Sequence, residues 1–257
     1  MLTSKLQKMN ILIFAAGLGT RLKPLTDTMP KALVPIKGRA LLGILVDKIK
    51  QSTNENKTLV INIHHFGQQI IDYVAANNSF GIDVRFSDER DMLLETGGGL
   101  KKAAPLFEND LPILIHNVDI LSNVDLGELY NKHKNTPDIG ATLIVSERKT
   151  KRYLLFDQSD CLVGWTNIET GEVKSPFKDL DVSSCKKYAF SGIHVFSQSL
   201  MQYMSNWEGK FSIIDFYLSI CDKVKIKGDV RPDLRVLDVG KLDSIKMAEE
   251  WLEQSRI

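Results

Sequence analysis

Four groups of residues in this 257-residue sequence have the types and spacing to handle phosphate chemistry. The first is Gly17-Leu18-Gly19-Thr20-Arg21-Leu22, which follows directly on the apolar run Ile11–Ala16. Glycines placed just after a strand let backbone N–H groups approach an anion with no Cβ in the way. The second is Lys31, inside Met29-Pro30-Lys31-Ala32-Leu33-Val34-Pro35, where flanking prolines stiffen the loop. An arginine fork and a compact lysine charge close to a glycine turn suit a polyphosphate. The third is a pair of carboxylates. Asp119 ends the segment Ile113-Leu114-Ile115-His116-Asn117-Val118, and Asp238 ends Arg235-Val236-Leu237. Ligands of open α/β sheets bind beyond the carboxyl ends of strands. Magnesium takes one or two carboxylates together with phosphate oxygens and water. Each aspartate also fits an ordinary turn or helix cap, the role that Asp125 takes ahead of Leu126–Lys134. The fourth group is Leu94-Glu95-Thr96-Gly97-Gly98-Gly99, a second glycine turn between a strand and a helix.

Other readings of these residues can be weighed on the sequence. A glycine turn after a strand also serves as a plain chain reversal. A dinucleotide fingerprint needs a third glycine at position 22, where the chain has Leu22, and no G-x-x-x-x-G-K-[ST] loop is present. That disfavours a dinucleotide oxidoreductase. Cys161, Cys185 and Cys221 lie far apart with no C-x-x-C, so neither a zinc knuckle nor a disulfide framework is supported. No serine or cysteine sits in a recognisable nucleophile elbow. His64 and His65 read more readily as loop or packing residues than as ligand contacts.

The block Ala15-Ala16-Gly17-Leu18-Gly19-Thr20-Arg21-Leu22, followed by Pro30-Lys31-Ala32-Leu33-Val34-Pro35, resembles the signature of sugar-1-phosphate nucleotidyltransferases. The resemblance runs over most of the chain and is weakest across 145–185. It implies that the turn at Ala15, Ala16, Gly17, Gly19 and Thr20, with Asn117, wraps a nucleoside triphosphate. Arg21 and Lys31 would then be the catalytic cations that neutralise its phosphates and the sugar phosphate. Asn117-Val118-Asp119 matches the family's N-G-D strand end and Asp238-Val239-Gly240 its late D-[VI]-G, which makes both aspartates the implied Mg2+ ligands. Glu95, Thr96, Gly97 and Gly98 would cradle the nucleobase, and Ser191-Gly192 would line the sugar pocket. Val118, Val236 and Lys241 depart from the family's usual residues without removing a ligand, and its Glu-Lys pair ahead of the sugar strand has no clear equivalent. The E-T-G-G-G form and Gly67-Gln68-Gln69-Ile70 resemble the N-acetylmuramate-1-phosphate uridylyltransferases. Mannose-1-phosphate guanylyltransferases share a similar block, so a mannose- or heptose-1-phosphate guanylyltransferase is the alternative within the class. The implied reaction joins a nucleoside triphosphate and a sugar 1-phosphate with release of pyrophosphate. A binding module on the same fold that no longer turns over is the alternative of another class. A muramic substrate would need a cation for its lactyl carboxylate, from Lys241 or a lysine of 174–187.

These groups need a scaffold that brings distant segments together. Ile11–Ala16 is apolar without alternation, as a strand buried on both faces must be. Leu59–Ile63, Ile82–Phe86, Pro112–His116 and Gly140–Val145 add further strands. Helical stripes fall at Leu42/Leu45/Val46/Ile49 and Phe66/Ile70/Ile71/Val74. Alternating strands and helices predict an α/β fold, Rossmann-like, with a mostly parallel sheet flanked by helices. Beyond residue 150, short runs at Tyr153–Phe156 and Cys161–Trp165 around a polar turn predict a small β-rich insertion over about 150–190. A long strand at Tyr188–Phe196 follows, then a helix in Phe211–Ile220, a late strand at Leu234–Val239 and a terminal helix in Lys241–Gln254. The whole of 1–257 reads as one domain. With 33 basic and 32 acidic residues, the charge balance argues against a broad nucleic-acid footprint. No apolar run approaches a membrane span, and Met1–Met9 is followed by no cleavage site. A reduced, cytoplasmic protein with no nucleic-acid or membrane partner is expected. The sequence alone assigns no oligomeric state.

Overall fold

The computed structural model describes residues 8–107 and 110–255. Residues 1–7, most of the Met1–Met9 segment, lie outside the described residues. The strands are β1 (Lys8–Phe14), β2 (Pro35–Ile36), β3 (Arg39–Ala40), β4 (Asn56–Ile63), β5 (Asp83–Asp88), β6 (Ile113–Asn117), β7 (Ile120–Ser122), β8 (Ile139–Ser146), β9 (Arg152–Phe156), β10 (Leu162–Asn167), β11 (Val173–Lys174), β12 (Lys186–Phe196), β13 (Lys225–Val230) and β14 (Val236–Asp238). The helices are α1 (Leu41–Ser52), α2 (Gly67–Ala76), α3 (Glu95–Ala103), α4 (Leu126–Lys134), α5 (Ile213–Ile220) and α6 (Asp243–Ser255).

The central sheet runs β11-β10-β9-β12-β6-β1-β4-β5, with β8 paired to both β12 and β13. Strands β6, β1, β4 and β5 are parallel to one another, and β12 enters antiparallel between β6 and β9. β1 is buried on both faces, as its unbroken apolar run requires. Leu12 joins a core with Val60, Ile115, Leu100 of α3 and Phe216 of α5. Ile11 and Ile13 join the opposite core with Leu45 of α1, Ile70 of α2 and Leu129 of α4. A third cluster packs Ala248 and Leu252 of α6 on Leu22, Val34 and Val239. The mixed, mostly parallel sheet between two helical layers is the α/β fold expected from the sequence.

Two details differ from the sequence reading, and both bear on the site. The first strand ends at Phe14, because Ala15 and Ala16 turn their N–H groups onto the Asn62 side chain instead of continuing the ladder. The late strand β14 stays out of the central sheet. It pairs antiparallel with β7, with Asp238 opposite Ile120. β7 is the short return just beyond Asp119, so this two-stranded ribbon carries the second aspartate to the end of β6.

The 150–190 region forms β9, β10 and β11, an antiparallel extension held through Lys186–Tyr188 of β12. The eleven-residue β12 bridges the two parts, since Ile193–Phe196 pair with β6. Among the described residues no helix is long and apolar enough to cross a membrane.

Candidate active site

A cavity of 540 Å3 lies beyond the carboxyl ends of β1, β4 and β6. Ala15, Ala16, Gly17, Gly19, Thr20, Arg21, Lys31, Glu95, Thr96, Asn117 and Asp119 all line it. Residues more than 80 positions apart therefore meet in one place.

The glycine turn is shaped by its neighbours. Gly19 adopts φ +63°, and a Cβ there would lie 2.9 Å from Thr26 Cγ2, so glycine is required. At Gly17 an added Cβ would meet nothing within 4 Å, because this residue faces the open cavity. The Asn62 Oδ1 accepts from Ala15 N at 2.6 Å and Ala16 N at 3.1 Å. Asn62 Nδ2 in turn donates to Glu89 Oε1 at 2.8 Å, and Leu94 N donates to Glu89 Oε2 at 3.1 Å. Glu89 is fully buried. Burial pushes its carboxyl up, against the pull of the Leu94 and Asn62 donors. One buried carboxylate thus ties the turn after β1 to the segment that opens α3. Asn62 and Glu89 were missed as site residues in the sequence. Asn62 carried one signal, a polar side chain closing an otherwise apolar strand.

Lys31 opens a 3-10 turn behind Pro30 and is almost buried. Its Nζ donates to Asp119 Oδ2. Val239 N donates to Asp119 O at 2.8 Å, which locks the two aspartate-bearing segments together. Asp238 lies beside the cavity lining, and Arg21 Nη2 is 4.0 Å from its Oδ2. Gly240 leaves room for that approach, since a Cβ there would sit 2.6 Å from Asp238 Oδ1 and 2.7 Å from Arg21 Nη2. Partial burial, then the neighbouring Asp119 carboxylate, push the Asp238 carboxyl up against the pull of Lys31 and Arg21. Two carboxylates that repel one another beside this cavity have the donor chemistry a divalent cation satisfies. No cluster of three or more His, Cys, Asp or Glu that could hold a metal occurs among the described residues. A cation held by the two aspartates would complete its shell with ligand oxygens. Asp125 caps α4, accepting from Glu128 N at 2.9 Å, and takes no part.

Four expected contacts are not on the cavity. Gly97 and Gly98 are buried inside the first turn of α3 rather than in a loop before it. Their N–H groups donate to Phe211 O at 2.9 and 3.3 Å, so they are already spent. A Cβ on Gly98 would lie 2.3 Å from Gly209 O, and one on Gly97 would lie 2.4 Å from the Phe211 ring. These glycines let α3 seat against residues 209–211. Ser191 is buried and accepts from Ile193 N at 3.2 Å. Gly192, at φ +81° in an irregularity of β12, backs onto Asn117, where a Cβ would be 2.7 Å from Nδ2. Both stand behind the cavity wall. His64 is likewise off the cavity, its Nδ1 2.7 Å from Glu89 O, and the His65 ring stacks on Phe66.

The chain is similar to several known proteins. An N-acetylmuramate alpha-1-phosphate uridylyltransferase of Caulobacter vibrioides is 40% identical over 110 residues, 42% of this chain and 44% of that protein. The protein of the same name from Neisseria meningitidis serogroup B is 35% identical over 130 residues, 51% of this chain and 55% of that one. A mannose-1-phosphate guanyltransferase of Hypocrea jecorina is 28% identical over 145 residues, 55% of this chain and 39% of that protein. The chain thus spans about half the length of the curated relatives it matches. In fold it is similar to the crystal structure of HddC from Yersinia pseudotuberculosis complexed with GMP-PN. The TM-score is 0.72 at 22% identity, covering 95% of this chain and 99% of that one. The family model described as nucleotidyl transferase matches residues 10–255, so the chain belongs to the nucleotidyl transferase family.

Proposed function

We propose that the protein transfers a uridylyl group from UTP to N-acetylmuramic acid 1-phosphate, releasing pyrophosphate. The observation that carries the reading is the convergence of Arg21, Lys31, Asp119 and Asp238 on one cavity behind a glycine turn. The uridylyl and muramic assignments are supported by the two relatives of that name. We take 1–257 as one catalytic domain working in the cytoplasm.

An oxygen of the sugar 1-phosphate attacks the α-phosphorus in line, forming the new P–O bond as the bond to pyrophosphate breaks. The nucleophile is already anionic, so no general base is needed. The work left to the protein is positioning and charge neutralisation. The turn held by Asn62 presents Gly17 and Gly19 to the triphosphate. Lys31 and Arg21 stabilise charge on the α-phosphate and the leaving pyrophosphate. Asp119 and Asp238 would hold Mg2+. A bound divalent cation neutralises phosphate charge and polarises phosphoryl oxygens. Asp119 accepts from Lys31 Nζ, so the carboxylate that would hold the cation also orients that ammonium. Glu95 and Thr96 at the start of α3 are the candidates for facing the base.

A guanylyl reading on mannose 1-phosphate is favoured by the guanyltransferase relative. A matrix of nucleoside triphosphates against sugar 1-phosphates, read by pyrophosphate release, tests both. UTP with N-acetylmuramic acid 1-phosphate should be fastest. Faster turnover of GTP with mannose 1-phosphate would overturn the substrate assignment. No pyrophosphate release with any pair, alongside retained nucleotide-sugar binding, would instead favour a non-catalytic binding module.

A further inference from the structure

A second cavity, of 220 Å3, is built where the antiparallel extension meets α5. Arg148, Arg152, Trp165, Phe190 and Ile214 are on its wall. Strand geometry explains the grouping. Trp165 of β10 sits opposite Leu154 of β9, and Arg152 and Leu154 share a face at period two. Phe190 follows Tyr188, which pairs with Leu154 from the other side. The result is an aromatic wall with two guanidinium groups at its edge.

Charge around this wall is one-sided. No carboxylate lines the cavity, and neither Arg148 nor Arg152 has an ion pair among the described residues. Three neighbouring lysines are engaged. Lys151 pairs with Glu169 at 2.6 Å, and Lys174 pairs with Asp215 at 3.2 Å while lying over the Trp165 ring. Lys186 is held by Asp160 at 2.8 Å. Of the lysines expected from the sequence to meet a sugar carboxylate, Lys174 and Lys186 are therefore already occupied, and Lys178, Lys187 and Lys241 do not line this cavity. Arg148 and Arg152 do line it.

The linings of the two cavities approach one another along two short stretches of chain. Ser212 lines the large cavity and Ile214 the small one, and Ser212 Oγ accepts from Ile214 N at 3.1 Å. Along β12, Phe190 lines the small cavity, and Gly192, two residues on and roughly 7 Å away along the strand, abuts Asn117 of the large one. The arginine wall therefore lies on the α5 and β12 side of the large cavity.

We propose that Arg148 and Arg152 form an anion subsite that reads a carboxylate carried by the sugar 1-phosphate. The inference rests on the nucleotidyl-transfer reading above and narrows its sugar to one bearing an acid. The aromatic wall takes the sugar's apolar face, and the guanidinium fork takes the carboxylate in charge-assisted hydrogen bonds.

The test compares N-acetylmuramic acid 1-phosphate with N-acetylglucosamine 1-phosphate, which lacks only the lactyl ether, and adds a uronic acid 1-phosphate. Each is assayed with wild type, the Arg148→Gln and Arg152→Gln single variants, the double variant, and Lys151→Ala as a control outside the cavity wall. The ratio of kcat/KM for the acidic over the neutral sugar should fall roughly tenfold or more in the double variant, through KM, and stay at the wild-type value in Lys151→Ala. If the double variant does not fold, the singles carry the same test with smaller falls. An unchanged ratio with muramic turnover intact overturns the subsite and leaves the muramic reading standing. Arg-dependent use of the uronic acid with no use of the muramic substrate overturns that reading and upholds the subsite. Wild-type preference for neutral sugar phosphates, unaltered by either arginine, overturns both.

Discussion

Replacing Asn62 with alanine tests whether the glycine turn is held from the end of β4. Asn62 is 3% exposed and satisfies two backbone donors and one oxygen of a buried carboxylate. A buried polar group left without a partner costs about 1–3 kcal/mol. Ala15 and Ala16 line the cavity, so water can reach their N–H groups and soften that cost. Glu89, at 0% exposure, has no such relief. The expected loss is about 2–4 kcal/mol for the three groups together. At about 2–4 °C per kcal/mol for a chain of this size, Tm should drop by about 5–15 °C in a thermal scan. KM for the nucleoside triphosphate should rise as the turn loosens. Asn62→Asp separates the two roles, since it keeps an acceptor for the turn but sets a second carboxylate against Glu89. Burial already raises the Glu89 carboxyl above its ordinary 4.5, so the folded chain binds that proton more tightly than the unfolded chain. The contribution therefore favours the fold below 4.5 and is lost as pH rises through the raised folded value. A second carboxylate stretches that window upward. Asn62→Asp should thus lie closer to wild type at pH 5 than at pH 8. An Asn62→Ala protein that melts within about 2 °C of wild type, with unchanged KM, would refute the reasoning.

Asp119→Asn and Asp238→Asn should each abolish most turnover while thermal melting stays near wild type, and a chelator should do the same to the intact protein. Activity near wild type at saturating magnesium would dismiss the metal assignment. Lys31→Ala and Arg21→Ala should slow turnover by roughly two orders of magnitude, the scale of one lost electrostatic stabiliser. Unfolding of the Arg21 variant would point to a structural role instead. Gly98→Ala should destabilise by about 1–2 kcal/mol, because overpacking against Gly209 O at 2.3 Å outweighs alanine's helix preference. A more stable Gly98→Ala protein would show that the α3 contact is not tight. Burial pushes His133 down to about 4 and His194 to about 3. Their neutral forms support the fold fully above the unfolded value of 6.5, and that support drains away as pH falls toward 4. His194→Phe should flatten the fall in Tm between pH 6.5 and 4. Equal slopes in variant and wild type would contradict this.

Much of the protein was legible in the sequence because its signals are local. An unbroken apolar run such as Ile11–Phe14 can only be a strand covered on both faces. The alternation of such runs with helical stripes fixes the α/β class. Gly17, Gly19, Arg21 and Lys31 stand close enough along the chain for spacing to group them, and Asp119 is marked by the strand it ends. The tertiary structure decided what depends on contacts between distant segments. The β14–β7 ribbon carries Asp238 to Asp119, a pairing no local pattern encodes. The Asn62–Glu89 link joins the end of β4 to the segment after β5, and a buried glutamate cannot be told from a solvated one in a polar stretch. Glycines at 97 and 98 looked like a ligand cradle, yet their N–H groups belong to Phe211 O, since sequence shows that a backbone is bare but not what approaches it. Arg148 and Arg152 carried no signal in the sequence; the pairing of β9 with β10 brings Arg152 near Trp165, and the segment ahead of β9 brings Arg148 to the same wall. Chain-local chemistry is written in residue order, whereas partnership across the fold is fixed only when burial and strand pairing choose which groups meet.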